Sequence, residues 1–241
     1  MNDQSAATAT LRDDLLLSEQ QVRYFETFGY LRIPGLFADD IDRIIGGFEQ
    51  VFANEEHPRL ETYEELHLEK RRLIIPGFIS KSDDLRWLLD DPRTVGVCRS
   101  LIGDDYEYAE SDGNLFDCES EWHSDIYAAP FHQYHLKLSF YLDSLTGGSG
   151  AIRVMPGTNH HTSEYAKRLR RDLNDPTATE ALFGVEGRDL PSWTVHSEPG
   201  DLVVWNFRTI HASYNGGERR RLFSVNFREP DSSQGQPSDT D

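Results

Sequence analysis

Tyr134-His135-Leu136-Lys137-Leu138-Ser139-Phe140-Tyr141-Leu142-Asp143 alternates with period two. His135, Lys137, Ser139 and Tyr141 fall on one side of an extended chain, and Leu136, Leu138, Phe140 and Leu142 on the other. One face suits an apolar core and the other carries groups that do chemistry. Downstream, Gly147-Gly148-Ser149-Gly150 turns the chain into a predicted strand over residues 151–155, which Pro156-Gly157 ends. This glycine run lacks the lysine of a phosphate loop and the second glycine of a nucleophile elbow, and a strand follows it, so it reads as a turn. Two further strands are expected over residues 201–207 and 219–227, after a polar, partly helical excursion over residues 158–185.

The first hundred residues read as mostly helical. Ser18-Glu19-Gln20-Gln21 spells a capping box, followed by Val22, Phe25 and Phe28 near one helical face and by Gly29 as a stop. Residues 30–33 then read as a strand. A second amphipathic helix is predicted over residues 39–51, with Ile41, Ile44, Ile45 and Phe48 at helical spacing. A helical stretch over residues 83–102 breaks at Asp91-Pro92, where Asp91 can cap and Pro92 can open a new helix. The fold class is therefore mainly β with flanking helices. Residues 1–17 and 229–241 are too polar to bury much apolar surface and are expected as disordered tails around one domain over residues 18–228.

The 241 residues carry 24 Lys+Arg against 42 Asp+Glu, a formal charge of −18. That balance argues against a nucleic-acid partner, whose phosphates are held by displacing counterions with Lys and Arg. No apolar run approaches the roughly 20 residues of a membrane span, and the first residues lack the pattern of a signal peptide, so a cytoplasmic protein with no membrane partner is expected. Cys98 and Cys118 stand in neither CxxC nor zinc-ribbon spacing and read as free, buried thiols.

Glu121-Trp122-His123-Ser124-Asp125 sets an imidazole and a carboxylate two residues apart, so in extended chain His123 and Asp125 point to the same side and can grip one ion. A third ligand must come from a distant segment, and His211, beyond Pro199-Gly200-Asp201 and a predicted strand, is placed to supply it. Two imidazoles and one carboxylate on one face leave open positions, an arrangement suited to non-haem Fe(II) that binds a co-substrate and dioxygen. A 2-oxo acid co-substrate also needs a cation for its far carboxylate, and Arg219, Arg220 and Arg221 open the last strand.

His123-Ser124-Asp125, Met155-Pro156-Gly157-Thr158-Asn159-His160, Pro199-Gly200-Asp201, His211, the three arginines and the opening Gly29-Tyr30-Leu31 together resemble the phytanoyl-CoA dioxygenase-like (PhyH) family of Fe(II)/2-oxoglutarate oxygenases. The resemblance runs from about residue 17 to residue 227. It implies a double-stranded β-helix (jelly-roll, cupin-like) and makes His123, Asp125 and His211 the iron ligands. It gives the distal 2-oxoglutarate carboxylate to an arginine of the last strand. Arg220 is favoured over Arg221, because its face also carries Leu222, Ser224 and Asn226, whereas Arg221 shares a face with Phe223, Val225 and Phe227. Ser213 matches a position that bonds the same carboxylate, and Tyr141 an aromatic that lines the co-substrate pocket. Asn114 or Tyr108 can stand in for the family's polar co-substrate contacts upstream of His123.

The activity so implied is oxidation of an unactivated C–H bond of a small molecule, by default hydroxylation, with O2 consumed and 2-oxoglutarate converted to succinate and CO2. Asp125 stands where halogenating relatives have a small residue, which disfavours halogenation. Desaturation, epimerisation and ring formation are variants of the same chemistry. A non-catalytic metal- or small-molecule-binding protein on the same scaffold is the alternative. For the substrate side, Lys137 either binds an anionic substrate or co-substrate or reaches solvent, His135 and Trp122 are candidate pocket residues, and Trp122 and Trp205 read as packing residues more readily than as substrate platforms. Residues 57–80 and 158–185 are expected to form much of the pocket wall. Lys167, Arg168, Arg170 and Arg171 are either a solvated helix face or a basic patch at the pocket mouth. His132 and His135 fall on opposite faces of the extended chain and are set aside as metal ligands, and the adjacent His160 and His161 diverge and read as turn residues or as supports behind the ligands.

Overall fold

The computed structural model describes residues 15–56, 59–62, 71–116, 119–128, 133–173, 175, 179–217 and 219–230. Ser18 caps α1 (Glu19–Phe28): its hydroxyl accepts the backbone N–H of Gln21 at 3.3 Å while the Gln21 side chain accepts that of Ser18 at 2.5 Å. Gly29 ends the helix in the left-handed region, φ 81°, where a side chain would be strained. Helix α2 (Ile41–Asn54) starts after a 3-10 turn and runs three residues past the expected end, burying Ile44, Phe48 and Val51 on one stripe. The stretch from residue 83 is α3 (Asp83–Arg86), a 3-10 turn, and α4 (Pro92–Leu101). It breaks at Asp91, whose carboxylate accepts the Arg93 N–H at 2.9 Å.

The strands are β1 (Tyr30–Ile33), β2 (Arg59–Thr62), β3 (Arg71–Pro76), β4 (Glu107–Phe116), β5 (Ser120–His123), β6 (His135–Tyr141), β7 (Ile152–Val154), β8 (Trp193–Thr194), β9 (Leu202–Asn206), β10 (His211–Ser213) and β11 (Arg220–Arg228). Helices α5 (Glu164–Asp172) and α6 (Thr179–Phe183) lie in the excursion between β7 and β8. Seven strands form one sheet in the order β1-β9-β6-β11-β4-β3-β2, and four form a second in the order β5-β10-β7-β8, with every pairing antiparallel. The two sheets make the double-stranded β-helix, a cupin-like jelly roll. Two of its strands, β2 and β3, lie in the N-terminal region that the sequence pattern reads as mostly helical.

The large sheet has two working faces. Outward, Leu136, Leu138, Phe140, Phe223, Val225 and Phe227 form one apolar core with Phe25 of α1, Ile44 and Phe48 of α2, and Phe78. Phe140 and Phe223 stack with ring centres 4.5 Å apart, and Phe78 lies 5.7 Å from Phe223. Phe78 comes this close because β4 has Gly113 beneath it: an added Cβ there would stand 2.1 Å from the ring. Inward, Tyr30, Tyr141, Val203 and Trp205 pack with Ile152 and Val154 of the small sheet.

The expected tails need correction at their inner edges. Leu17 is buried in the core and its N–H bonds Ser100 Oγ of α4 at 2.9 Å, since an apolar side chain facing α4 gains more by docking than by staying in water. Glu229 exchanges two bonds with the backbone of Tyr134, continuing the β6–β11 edge past residue 228. Among the described residues, no helix is long and apolar enough to cross a membrane.

Phe223→Ala is expected to cost about 3–5 kcal/mol of unfolding free energy, the usual loss for a fully buried aromatic. Urea denaturation measures it; a loss below about 1 kcal/mol would show that the Phe78–Phe223–Phe140 stack does not carry the core.

Candidate active site

His123 ends β5 and His211 begins β10, and the antiparallel register sets them directly opposite each other, with ring centres 4.3 Å apart. Each imidazole is turned by its own backbone. Nδ1 of His123 donates to the Glu121 carbonyl at 2.7 Å, and Nδ1 of His211 donates to the Thr209 carbonyl at 3.0 Å. A carbonyl only accepts, so both Nδ1 atoms carry the proton and both Nε2 atoms are left as donors of a lone pair. The chain then turns at Ser124, and the Asp125 N–H is fixed on the Phe207 carbonyl at 2.9 Å. Asp125 Oδ1 lies 3.9 Å from each Nε2, and the three candidate ligand atoms all fall within 4.8 Å of one another.

The two oxygens of Asp125 have different surroundings. Oδ1 faces the histidines, while Oδ2 accepts Trp205 Nε1–H at 3.2 Å and lies 3.1 Å from Lys137 Nζ. Burial opposes the carboxylate charge, yet Lys137, His211 and His123 outweigh it and hold Asp125 well below the usual carboxylate range. Burial, followed by the charge of His123, pushes His211 down to about 3. At neutral pH the cluster thus consists of a neutral His211 and an ionised Asp125, the protonation states a divalent metal requires. Two imidazole nitrogens and a carboxylate oxygen converging from one side fit the donor set of a ferrous centre with open positions.

The cluster opens into a cavity of about 460 Å³ between the sheets, within the usual range for small-molecule sites. Arg220 stands on its wall, buried, with Leu222 and Ser224 of the same strand face. Its Nη1 donates to the Gly150 carbonyl at 2.6 Å and to Ser213 Oγ at 2.7 Å, and its guanidinium lies 5.3 Å from the Phe116 ring. Gly150 and Gly216 make the room: a Cβ on either would stand 2.6 Å from the guanidinium. Arg221 points the other way, where Asp143 holds it at 2.6 Å and Glu49 at 2.9 Å, so it does not reach the cavity. Tyr141, Ser213 and Asn114 line the cavity. Asn114 accepts from Arg72 Nε at 2.8 Å and donates to Asp112.

Other expected residues are placed differently. His135 stacks on Phe207 with centres 5.1 Å apart and does not line the cavity, because it is the first residue of β6 and lies beyond the cavity end. Trp122 borders the cavity, but its indole N–H bonds the Gly187 carbonyl at 2.8 Å and its ring packs edge-on against Tyr214. Tyr108 is exposed and bonds Ser111. None of the described residues of the 158–185 excursion lines the cavity, and Arg72 on β3 represents the 57–80 segment there. Lys167 pairs with Glu164, Arg168 and Arg171 with Asp172, and Arg170 bonds the Arg208 carbonyl. Cys98 is a free, buried thiol whose pKa burial pushes up; Cys118 and His132 lie outside the described residues. Sequence reasoning missed Arg72 and Asp112 in the wall, and it read Trp205 as packing ahead of a substrate platform, with no contact to Asp125.

The family model for phytanoyl-CoA dioxygenase (PhyH) matches residues 25–222. Among curated proteins, the ectoine dioxygenase of Stutzerimonas stutzeri (strain A1501) is 26% identical over 87% of this chain and 76% of its own length. Among solved structures, the non-haem alpha ketoglutarate dependent carbocyclase SnoK from nogalamycin biosynthesis superposes with a TM-score of 0.71 at 20% identity, covering 89% of this chain and 85% of that one. The epimerase SnoN, in complex with Fe3+, alpha ketoglutarate and nogalamycin RO, gives 0.67 at 18% identity over 92% of this chain and 91% of that one. The fold is shared with those enzymes, and the extent of the family match settles membership: this chain belongs to the phytanoyl-CoA dioxygenase family of Fe(II)/2-oxoglutarate-dependent oxygenases.

Proposed function

We propose that this non-haem iron dioxygenase oxidises an unactivated C–H bond of a small cytoplasmic molecule, by default to the alcohol, with His123, Asp125 and His211 as its iron ligands. The balance is R–H + O2 + 2-oxoglutarate giving R–OH + succinate + CO2. Bound Fe(II) supplies the activation of dioxygen that couples the decarboxylation to the C–H oxidation. The observation that carries the reading is the placement of the His-Asp-His cluster and the buried Arg220 on the walls of one cavity. A protein that merely bound a metal would have no use for a buried guanidinium there.

The chain's own work is binding and orientation. The Thr209 and Glu121 carbonyls present both Nε2 atoms to the metal. Arg220, held by Gly150 and Ser213, offers a fixed cation to the far carboxylate of 2-oxoglutarate. Tyr141, its ring buried and its ionisation suppressed by burial, packs beside the co-substrate as a neutral phenol. Apolar Ile152, Leu222 and Trp205 limit the water in the cavity. No side chain has to act as a general base.

The test is anaerobic loading of the protein with Fe(II) and 2-oxoglutarate, then exposure to oxygen with a panel of small molecules, reading substrate-dependent succinate. Asp125→Ala should abolish coupled turnover. Arg220→Ala should raise the KM for 2-oxoglutarate by roughly 10–100-fold, the loss of about 1.5–3 kcal/mol from a charged hydrogen bond. Arg221→Ala should leave that KM within about two-fold, since its guanidinium is held by Asp143 and Glu49 away from the cavity; a larger effect there than at Arg220 would refute the assignment.

The protonation states give a second expectation for the metal-free protein. His211 titrates lower when folded than its ordinary 6.5, and Asp125 lower than its ordinary 3.8, so the unfolded chain binds more protons at acid pH. Stability from His211 is complete above about pH 6.5 and is lost as the pH falls toward about 3, with Asp125 adding its loss below about 3.8. Calorimetry should show Tm dropping between about pH 7 and pH 5, and His211→Gln should flatten that slope.

A further inference from the structure

Lys137 is an inward-facing cation to which the proposed reaction gives no task. It sits in the middle of β6, opposite Trp205 of β9 in the strand register. Its side chain is 17% exposed, so most of it is withdrawn from solvent, and its ammonium lies 5.7 Å from the Trp205 ring and 5.6 Å from the Phe207 ring. The ammonium stands 3.1 Å from Asp125 Oδ2, the oxygen that also accepts the Trp205 indole N–H at 3.2 Å. Asp125 Oδ1 faces both histidine Nε2 atoms at 3.9 Å. The two carboxylate oxygens are thus divided between two neighbours by two donors on adjacent strands.

We propose that Lys137 and Trp205 are positioning residues that occupy Asp125 Oδ2 and so confine the carboxylate to one-oxygen ligation of the metal. The inference rests on the ligand assignment above and deepens it. A carboxylate free to turn about its Cβ–Cγ bond can offer both oxygens to a divalent ion and take a second coordination position. A co-substrate that binds through two atoms, followed by dioxygen, needs three positions beyond the His-Asp-His set. Two donors on Oδ2 keep the third of these from being taken by the protein itself. The indole supplies direction, because its N–H is fixed by a ring packed in the core between the sheets. The ammonium supplies charge as well as a hydrogen bond.

The charge makes the proposal testable through a difference in sign. An ammonium beside the metal's carboxylate repels a dication and draws negative charge away from Oδ1, so Lys137 lowers metal affinity while keeping the co-substrate's position open. A residue that only supported the fold would lower both affinities, or neither, when replaced. Anion binding, the role the sequence pattern offered for Lys137, predicts other outcomes: for a substrate anion, no change in either affinity while substrate is absent; for the co-substrate, a loss of 2-oxoglutarate affinity that Trp205→Phe, which removes no charge, does not share.

The experiment titrates the full metal-free chain with Mn(II) by calorimetry, then titrates the Mn(II)-loaded protein with 2-oxoglutarate under nitrogen, with no turnover in either step. Lys137→Met, which keeps an unbranched side chain one atom shorter and removes its charge, should bind Mn(II) at least about three-fold more tightly and 2-oxoglutarate at least about three-fold more weakly. Lys137→Arg should return both toward the parent values. Trp205→Phe, which removes the donor and keeps an aromatic, should weaken 2-oxoglutarate binding in the same direction, and it carries the test if Lys137→Met does not fold. Unchanged 2-oxoglutarate affinity in the folded variants, or metal and co-substrate affinities that fall together, would overturn the proposal. A parent protein that binds no Mn(II), or an Asp125→Ala variant that binds it as well as the parent, would instead overturn the ligand assignment.

Discussion

The antiparallel pairing of β5 with β10 is the constraint on which the site depends, because it sets His211 opposite His123 although the two stand 88 positions apart in the chain. His123 and Asp125 are neighbours by sequence alone, but a third donor has to be delivered by the fold. The delivery uses backbone throughout: the strand register, the carbonyls that hold both Nδ1 atoms, and the Phe207 carbonyl that fixes the Asp125 N–H. A ligand set aimed by main-chain atoms tolerates change in most surrounding side chains, which is compatible with a fold shared at about 20% identity.

The large sheet resolves a conflict that a site in the middle of a protein creates. A cavity with Arg220, Lys137 and Asp125 needs polar partners, whereas stability needs apolar burial, and strict alternation along β6 and β11 supplies each on its own face. Phe140 and Phe223 stack on the helix side while Ser139 and Ser224, their immediate chain neighbours, face the cavity. A one-residue slip of β11 against β6 would turn Phe223 inward and Arg220 into the helix layer. The aromatic stack with Phe78 therefore fixes the register of the chemistry as well as contributing to stability.

This alternation also explains what could be read from sequence. The capped ends of α1 and α4, the strand at residues 134–143 and the inward face of Arg220 are local patterns, legible because each depends on a few adjacent residues. Arg221 was separated from Arg220 by parity alone, and its ion pairs with Asp143 and Glu49 supply the reason that parity holds. By contrast, β3 is stabilised by its pairing with β4, some forty residues away, so Arg-Arg-Leu-Ile-Ile-Pro gives no local sign that Arg72 enters the cavity wall. His135 has the right parity for the cavity but lies one strand end too far along, which no periodicity encodes. Trp205 looked like packing and does pack; that its indole N–H meets Asp125 depends on the approach of two segments 80 residues apart.

The overall charge would seem to oppose an anionic co-substrate, since the chain carries −18. Most of that charge is at the surface, where salt screens it beyond roughly 8 Å at physiological ionic strength. Inside the cavity the balance is local: Arg72, Lys137 and Arg220 share the wall with Asp112, Glu119, Glu121 and Asp125, and the Asp125 carboxylate has the Lys137 ammonium 3.1 Å away. In that partly dry space a fixed guanidinium acts through a lower effective dielectric than any surface carboxylate does. The charge that the far carboxylate of an entering dianion meets is therefore the fixed Arg220 guanidinium rather than the net charge of the chain, and an acidic surface is no obstacle to co-substrate binding.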